Sequence, residues 1–290
     1  MKGAIKKTND IDGGGKLTDL IEKASEKDCH DTGVCSTPEI LELMRAFYKT
    51  LTGHNVSGSK VIEALKKELD VKGEACILKN SKFNEFAHNH GKLAVLQKYI
   101  TETIKPVGPR ETNDWLNNHH IDQTFKLLEK THPKFRRIPY QMIDFNTVRQ
   151  AEETLSDINF VEEYKKGKRM FGCAINTDSS SGSGIHWFAF FVNLDVKPYT
   201  IEFFDSTGRQ MDPRVREWAM TLKADLDKAK LPVTLIENRR VHQRENSECG
   251  VYTSFYVYAR VNGYSFKDFQ TEIIPDTEIK KFREGMFSTC

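Results

Sequence analysis

The chain lacks any apolar run near the roughly 20 residues that a membrane span needs, which excludes a helical membrane protein. It also lacks a dominant charge sign. Forty-three basic and 41 acidic residues leave a net charge of +2, which predicts no special attraction to nucleic acid and no nucleic-acid requirement. The start, Met1 to Lys7, has no apolar stretch of the signal-peptide kind. Cysteine is sparse and scattered: Cys29, Cys35, Cys76, Cys173, Cys249 and Cys290. No pair of pairs stands at zinc-finger spacing, so Cys29-His30 with Cys35, or His88 with His90, gives no metal site. A chain of 290 residues can bury a core without disulfide staples, and a reducing, cytosol-like compartment is expected in which thiols stay free.

Against that background one thiol stands out. His242-Gln243-Arg244-Glu245-Asn246-Ser247-Glu248-Cys249-Gly250 leads into an apolar, aromatic stretch, Val251 to Asn262, with no breaker before Gly263. Cys249 therefore sits at the mouth of a predicted helix. The unpaired N–H groups and positive dipole end there favour an anion and make such a cysteine more nucleophilic.

A nucleophilic cysteine needs a base, and the base needs an orienting group. Among nine histidines, His186 differs by interrupting an apolar run, Ile185 to Val192, which reads as a strand buried on both faces. A second strand, Tyr199 to Asp205, follows a turn-prone segment, Asn193 to Pro198. A regular hairpin centred near Asp195 and Val196 places His186 directly opposite Asp205, whose carboxylate would accept the imidazole N–H. Gln243 has an amide N–H to offer a developing oxyanion, beside the backbone N–H groups around Cys249. Each residue alone has a plainer reading: a small core cysteine, a satisfied strand histidine, an aspartate that starts a turn. The four together point to thiol catalysis.

His186-Trp187, Asp205-Ser206, Gln243 and Cys249-Gly250, in that order, resemble the SUMO and ubiquitin-like-protein protease superfamily of cysteine peptidases. Trp115-Leu116-Asn117-Asn118 is similar to the family's Trp-Leu-Asn/Asp motif. Asn176-Thr177-Asp178, the Ser179–Gly184 loop and Ile201-Glu202-Phe203-Phe204 resemble its polyprotein-processing branch in African swine fever virus and related large DNA viruses. The resemblance runs from about Asp114 to the C-terminus. It implies an α+β fold of the papain-like cysteine-protease kind (SUMO-protease or adenain-like). The implied catalytic residues are His186, Asp205 and Cys249, with Gln243 for the oxyanion. Trp187 and Trp115 would bind substrate by flanking a slot that admits only glycine. No cofactor is implied.

The expected reaction is cleavage of a protein substrate after Gly-Gly-type sites, in viral polyprotein or structural precursors. The alternative is deconjugation of a ubiquitin-like modifier. A third reading is acetyl transfer on the thiol, which needs a cofactor-binding insertion that the Asp205–Cys249 interval is too short to hold. A viral source would place the protein in host cytoplasm, viral factory and virion.

Three units are expected along the chain. Residues 1–15, ending in Gly13-Gly14-Gly15, read as a flexible tail in which self-trimming is conceivable. Residues 16–108 read as a helical accessory arm, from four helix-spaced apolar stripes that begin with Leu17, Leu20, Ile21 and Ala24. Pro106-Val107-Gly108-Pro109 breaks the pattern. Residues 109–290 read as the catalytic domain: a helix from about Asn113 to Lys130, then strands near Gly172–Asn176, Ile185–Leu194, Tyr199–Asp205 and Val233–Ile236. An amphipathic helix starts at Asp212-Pro213, and a last helix spans about Thr277 to Phe287.

Overall fold

The computed structural model describes residues 16–25, 35–149, 153–288 and 290. The predicted tail with its glycine triplet and the Cys29-His30 pair lie outside these residues. The first helix, α1 (Leu17–Ser25), is followed by α2 (Pro38–Thr52), α3 (Lys60–Leu69), α4 (Glu74–Leu78), α5 (Ser81–Asn89) and α6 (Leu93–Thr103). Thr37 caps α2, accepting the Ile40 N–H, and Pro38 takes the first turn, as the Thr-Pro-Glu signal predicts. Ile40, Met44, Phe47, Val61, Leu65, Phe83 and Leu96 bring α2–α6 around one apolar core.

The remaining elements are α7 (Asn118–Thr131), β1 (Phe135–Arg137), β2 (Gln141–Met142), α8 (Phe160–Lys165), β3 (Met170–Asn176), β4 (Trp187–Asn193), β5 (Tyr199–Phe204), α9 (Pro213–Lys228), β6 (Val233–Glu237), α10 (Cys249–Val261), α11 (Phe266–Thr271) and α12 (Asp276–Met286). They form a mixed sheet in the order β1-β3-β4-β5-β6, with β2 also on β3. The β3-β4-β5 centre is antiparallel, and β1, β2 and β6 are parallel to their neighbours. This is the expected α+β arrangement.

Strand β4 is buried along its whole length because both faces of the sheet are covered. Trp187, Ala189 and Phe191 face the core shared with α7, α10 and α12, whereas Phe188, Phe190 and Val192 face the core under α9. Helix α10 is clamped to the sheet by a buried ion pair. Arg260 donates to both carboxylate oxygens of Glu202 on β5, each at 2.7 Å.

Four expectations need correction. Helix α1 belongs with the sheet-bearing core and not with the helical arm: Leu17, Leu20, Ile21 and Ala24 are buried in the same cluster as Ile279 and Phe282 of α12. Its stripe is ordinary core packing, and periodicity does not say which core. The Asn113 helix begins later, at Asn118, because Asn117 caps it by accepting the His120 N–H at 2.9 Å. The short parallel strands β1 and β2, beside Pro133 and Pro139, add to the four expected strands, which began only near Gly172. Finally, not all cysteines are unpaired. Cys76 on α4 is disulfide-bonded to Cys290, 214 positions away, and ties the C-terminal tail to the helical unit. Among the described residues Cys173 and Cys249 carry free thiols.

Candidate active site

Cys249 is the first residue of α10, and Glu248 before it makes no side-chain cap, so the helix's leading N–H groups stay directed at the thiol's surroundings. Gly250 permits a close approach from outside: a Cβ there would stand 2.9 Å from Cβ of Leu116. The segment Trp115–Leu116 therefore lies directly over the start of α10.

His186 stands just ahead of β4 and Asp205 just after β5. The imidazole Nε2–H donates to the Asp205 carboxylate, 3.0 Å from each oxygen, with both side chains buried. Direct opposition is not how they meet. The ladder pairs Ala189 with Phe204 and Asn193 with Thr200, which moves the hairpin centre to between Val196 and Lys197. The Asn193 side chain fixes this turn, accepting the Asp195 N–H and donating to the Val196 carbonyl. His186 and Asp205 are thus diagonal neighbours. Each stands one residue outside its strand, where the alternation of faces no longer binds, and the two side chains meet there through the imidazole–carboxylate hydrogen bonds.

Asp205 is itself held: it accepts the Thr207 N–H at 2.8 Å and the Thr207 hydroxyl at 2.7 Å, and Asn238 donates to its carbonyl oxygen at 2.9 Å. Burial would lower the His186 pKa, but hydrogen bonds to Asp205 and Cys249 and their charges outweigh it and raise the ring to about 9. With Nε2 on Asp205, Nδ1 is the atom left for the thiol.

Gln243 is buried against the Asp205–Ser206 turn. The Ser206 hydroxyl donates to its Oε1 at 2.7 Å, and the Ser206 carbonyl accepts the N–H groups of His242 and Gln243. This fixes which way the amide points. One Nε2 hydrogen goes to the Glu245 carbonyl at 2.6 Å, and the second remains for a ligand. His242 beside it is no rival base. Burial pushes its pKa down to about 4, with Arg240 adding to the effect, and its Nδ1 accepts the Ile274 N–H.

A cleft of about 300 Å³ is lined by Cys249, Trp115, Leu116, Tyr140, Trp187 and the 180–185 loop, among others. Trp187 is buried and its Nε1–H donates to the Leu116 carbonyl at 3.1 Å, so one tryptophan pins the segment that carries the other. Trp115 is 58% exposed. The Ser179–Gly184 segment connects antiparallel β3 and β4, and it is tightly tethered. Asn176 accepts the N–H groups of Asp178 and Ile185, Asp178 those of Ser179 and Gly184, and Asp144 both the N–H and the hydroxyl of Ser180. Gly182 fits because the Asp178 carboxylate occupies the space a Cβ would take.

The structure brings His186, Asp205, Gln243, Cys249, Trp187 and Trp115 into one region. Sequence reasoning gave no supporting role to Ser206, Thr207 or Asn238, whose bonds to Gln243 and Asp205 need the fold to be seen. It quoted Glu202 only within a motif and gave it no role, although a charge inside an otherwise apolar strand is a visible sign of a buried partner. Between Asp205 and Cys249 the chain holds only α9 and β6 as regular elements, with no inserted cofactor domain.

Residues 173–290 match the Ulp1 protease family, C-terminal catalytic domain. The chain is 32% identical over 236 residues to a SUMO-1 cysteine protease of African swine fever virus, covering 77% of this chain and 85% of that one. It is similar to the crystal structure of a protease from the same virus, with 26% identity and a TM-score of 0.76 over 93% of this chain and 100% of the other. With that likeness spanning both the helical unit and the sheet-bearing unit that holds Cys249 and His186, the chain belongs to the Ulp1-type family of cysteine proteases.

Proposed function

We propose that this cysteine protease is an endopeptidase that cleaves after Gly-Gly-type sites in viral precursor proteins, with Cys249 as nucleophile. The observation that carries the reading is the shared cleft: Cys249 opens onto it, and Trp115, Trp187 and a tethered, glycine-bearing loop form its walls. Such a slot favours residues without side chains next to the scissile bond. The Cys249 thiolate adds to the carbonyl carbon, and the negative charge passes to the carbonyl oxygen. The free Gln243 amide hydrogen and the leading N–H groups of α10 stabilise that oxygen. His186 gives its proton to the leaving amine as the C–N bond breaks, leaving a thioester. The neutral ring then takes a proton from water, whose oxygen attacks the thioester and releases the acid and the thiolate. Asp205 holds the ring in the productive tautomer throughout.

The division at about residue 108 and the helical unit's role as an arm that meets the substrate or a partner belong to the same proposal. So does a place in the infected cell's cytoplasm and in the virion, supported by the viral relative. Incubation with Gly-Gly-containing precursor peptides, and in parallel with ubiquitin-like-modifier fusions, tests the reading. Peptide cleavage abolished by Cys249→Ala is expected. Cleavage that survives Cys249→Ala overturns the mechanism, and exclusive turnover of modifier fusions overturns the substrate class.

A further inference from the structure

The last helix, α12, carries two buried charged side chains that the reaction scheme does not use. Asp276 and Arg283 are about two turns apart and so share a face. Both reach into the segment between Gln243 and Cys249. Asp276 accepts the N–H groups of Arg244 at 3.0 Å and Glu245 at 3.2 Å, and the Tyr252 hydroxyl of α10 at 3.1 Å. Arg283, only 1% exposed, donates from Nε to Glu248 at 3.0 Å and from Nη2 to the same carboxylate at 2.9 Å. Its Nη1 donates to the Asp114 carbonyl at 2.7 Å, and Nη2 also to the Ser247 carbonyl at 3.3 Å.

Glu248 directly precedes Cys249, and Asp114 directly precedes Trp115. One guanidinium therefore ties the nucleophile's neighbour to the wall of the cleft. A buried ion pair adds little net stability over a well-packed apolar substitute, but its planar fork fixes several acceptors in one geometry. His120 of α7 also feels the Arg283 charge: burial lowers its pKa, with His119 and then Arg283 adding to the effect.

We propose that Arg283 and Asp276 are positioning residues for the protease reaction. Arg283 sets Cys249 and the Trp115 wall relative to each other, and Asp276 sets the Gln243 turn. The inference rests on Cys249 being the nucleophile.

The test follows iodoacetamide alkylation of Cys249 by peptide mass spectrometry across pH, together with kcat and KM on a Gly-Gly peptide. Arg283→Met and Glu248→Gln break the same pair but leave opposite charges at the residue that precedes Cys249. The pH of half-maximal alkylation should rise in Arg283→Met and fall in Glu248→Gln, each by about half to one unit. The double variant should return it close to the wild-type value. Arg283→Met should also raise KM, and each single variant should lose about tenfold or more in kcat. Asp276→Asn should lower kcat while leaving the alkylation profile unchanged.

Shifts in the same direction, or full kcat and KM in folded variants, overturn the proposal. Should Arg283→Met fail to fold, Glu248→Gln and Asp276→Asn carry the same two contrasts. Wild-type activity that persists after complete alkylation of Cys249 would instead overturn the nucleophile assignment itself, so the two failures are distinguishable.

Discussion

The coupling between His186 and Asp205 makes a quantitative prediction. In the folded protein His186 keeps its proton up to about pH 9, although burial works against it. The Asp205 hydrogen bond is the largest effect opposing burial, and Asp205 also supplies part of the charge. Asp205→Ala removes both and leaves only Cys249 to offset burial, so the ring should titrate near its unperturbed value of about 6.5. At pH 8 an imidazole of pKa about 9 is about 90% protonated and one of about 6.5 only about 3%, a difference of about thirtyfold in the competent form. At pH 6 the two differ by less than about twofold. Activity of Asp205→Ala relative to wild type should therefore fall steeply between pH 6 and 8, beyond any constant loss from poorer orientation.

The assay is kcat/KM on a Gly-Gly peptide across pH, read as the macroscopic titration of the Cys249–His186 pair. The alkaline limb, near 9 in the wild type, should move down by a unit or more, and Asp205→Asn should lie between. An unmoved limb, or a loss equal at every pH, would refute the reasoning. Stability follows the same sign. The folded pKa is raised above the unfolded one, so the contribution of this contact is fully present below about pH 6.5 and is lost as pH rises through about 9. In Asp205→Ala that dependence should flatten.

Two further outcomes follow. Gly250→Ala puts a methyl 2.9 Å from the Leu116 side chain, so the Trp115 segment must move; kcat/KM should fall about tenfold or more with little change in Tm, and unchanged kinetics would show that the wall has slack. Breaking Cys76–Cys290, by Cys290→Ser or by reductant, opens a loop of 214 residues; chain entropy puts the stabilisation lost at up to about 5 kcal/mol, read as a drop in the urea midpoint. Equal midpoints with and without reductant would show that the bond contributes nothing.

Much of the site was legible because its residues break local rules. His186 is polar in a run that is otherwise apolar, and Cys249 sits where a polar loop meets a long apolar helix. Asp205 ends a strand at a turn signal. Such violations need no neighbours to be noticed, and together they pointed to a candidate thiol–imidazole–carboxylate group, while the mixture of short strands and helices pointed to the α+β fold. The helices followed from period and caps, as at Thr37-Pro38 and Asp212-Pro213. Periodicity marks a face as buried without naming what buries it, and so α1 was assigned to the wrong core.

The hairpin shows the boundary most clearly. Composition gave two strands and a turn, and counting outward from the turn put His186 and Asp205 near each other. The register itself came from the Asn193 side chain closing the turn. The contacts that hold the site rigid were set by tertiary structure alone. Arg283 to Glu248, Gln243 to Ser206, Trp187 to Leu116 and Cys76 to Cys290 join positions far apart in sequence. The chain's order of residues fixes what each side chain can donate, accept or bury. Which partner it meets depends on how the sheet, its covering helices and the C-terminal tail close around one another, because a hydrogen bond or disulfide is selected by distance and angle that no local pattern encodes.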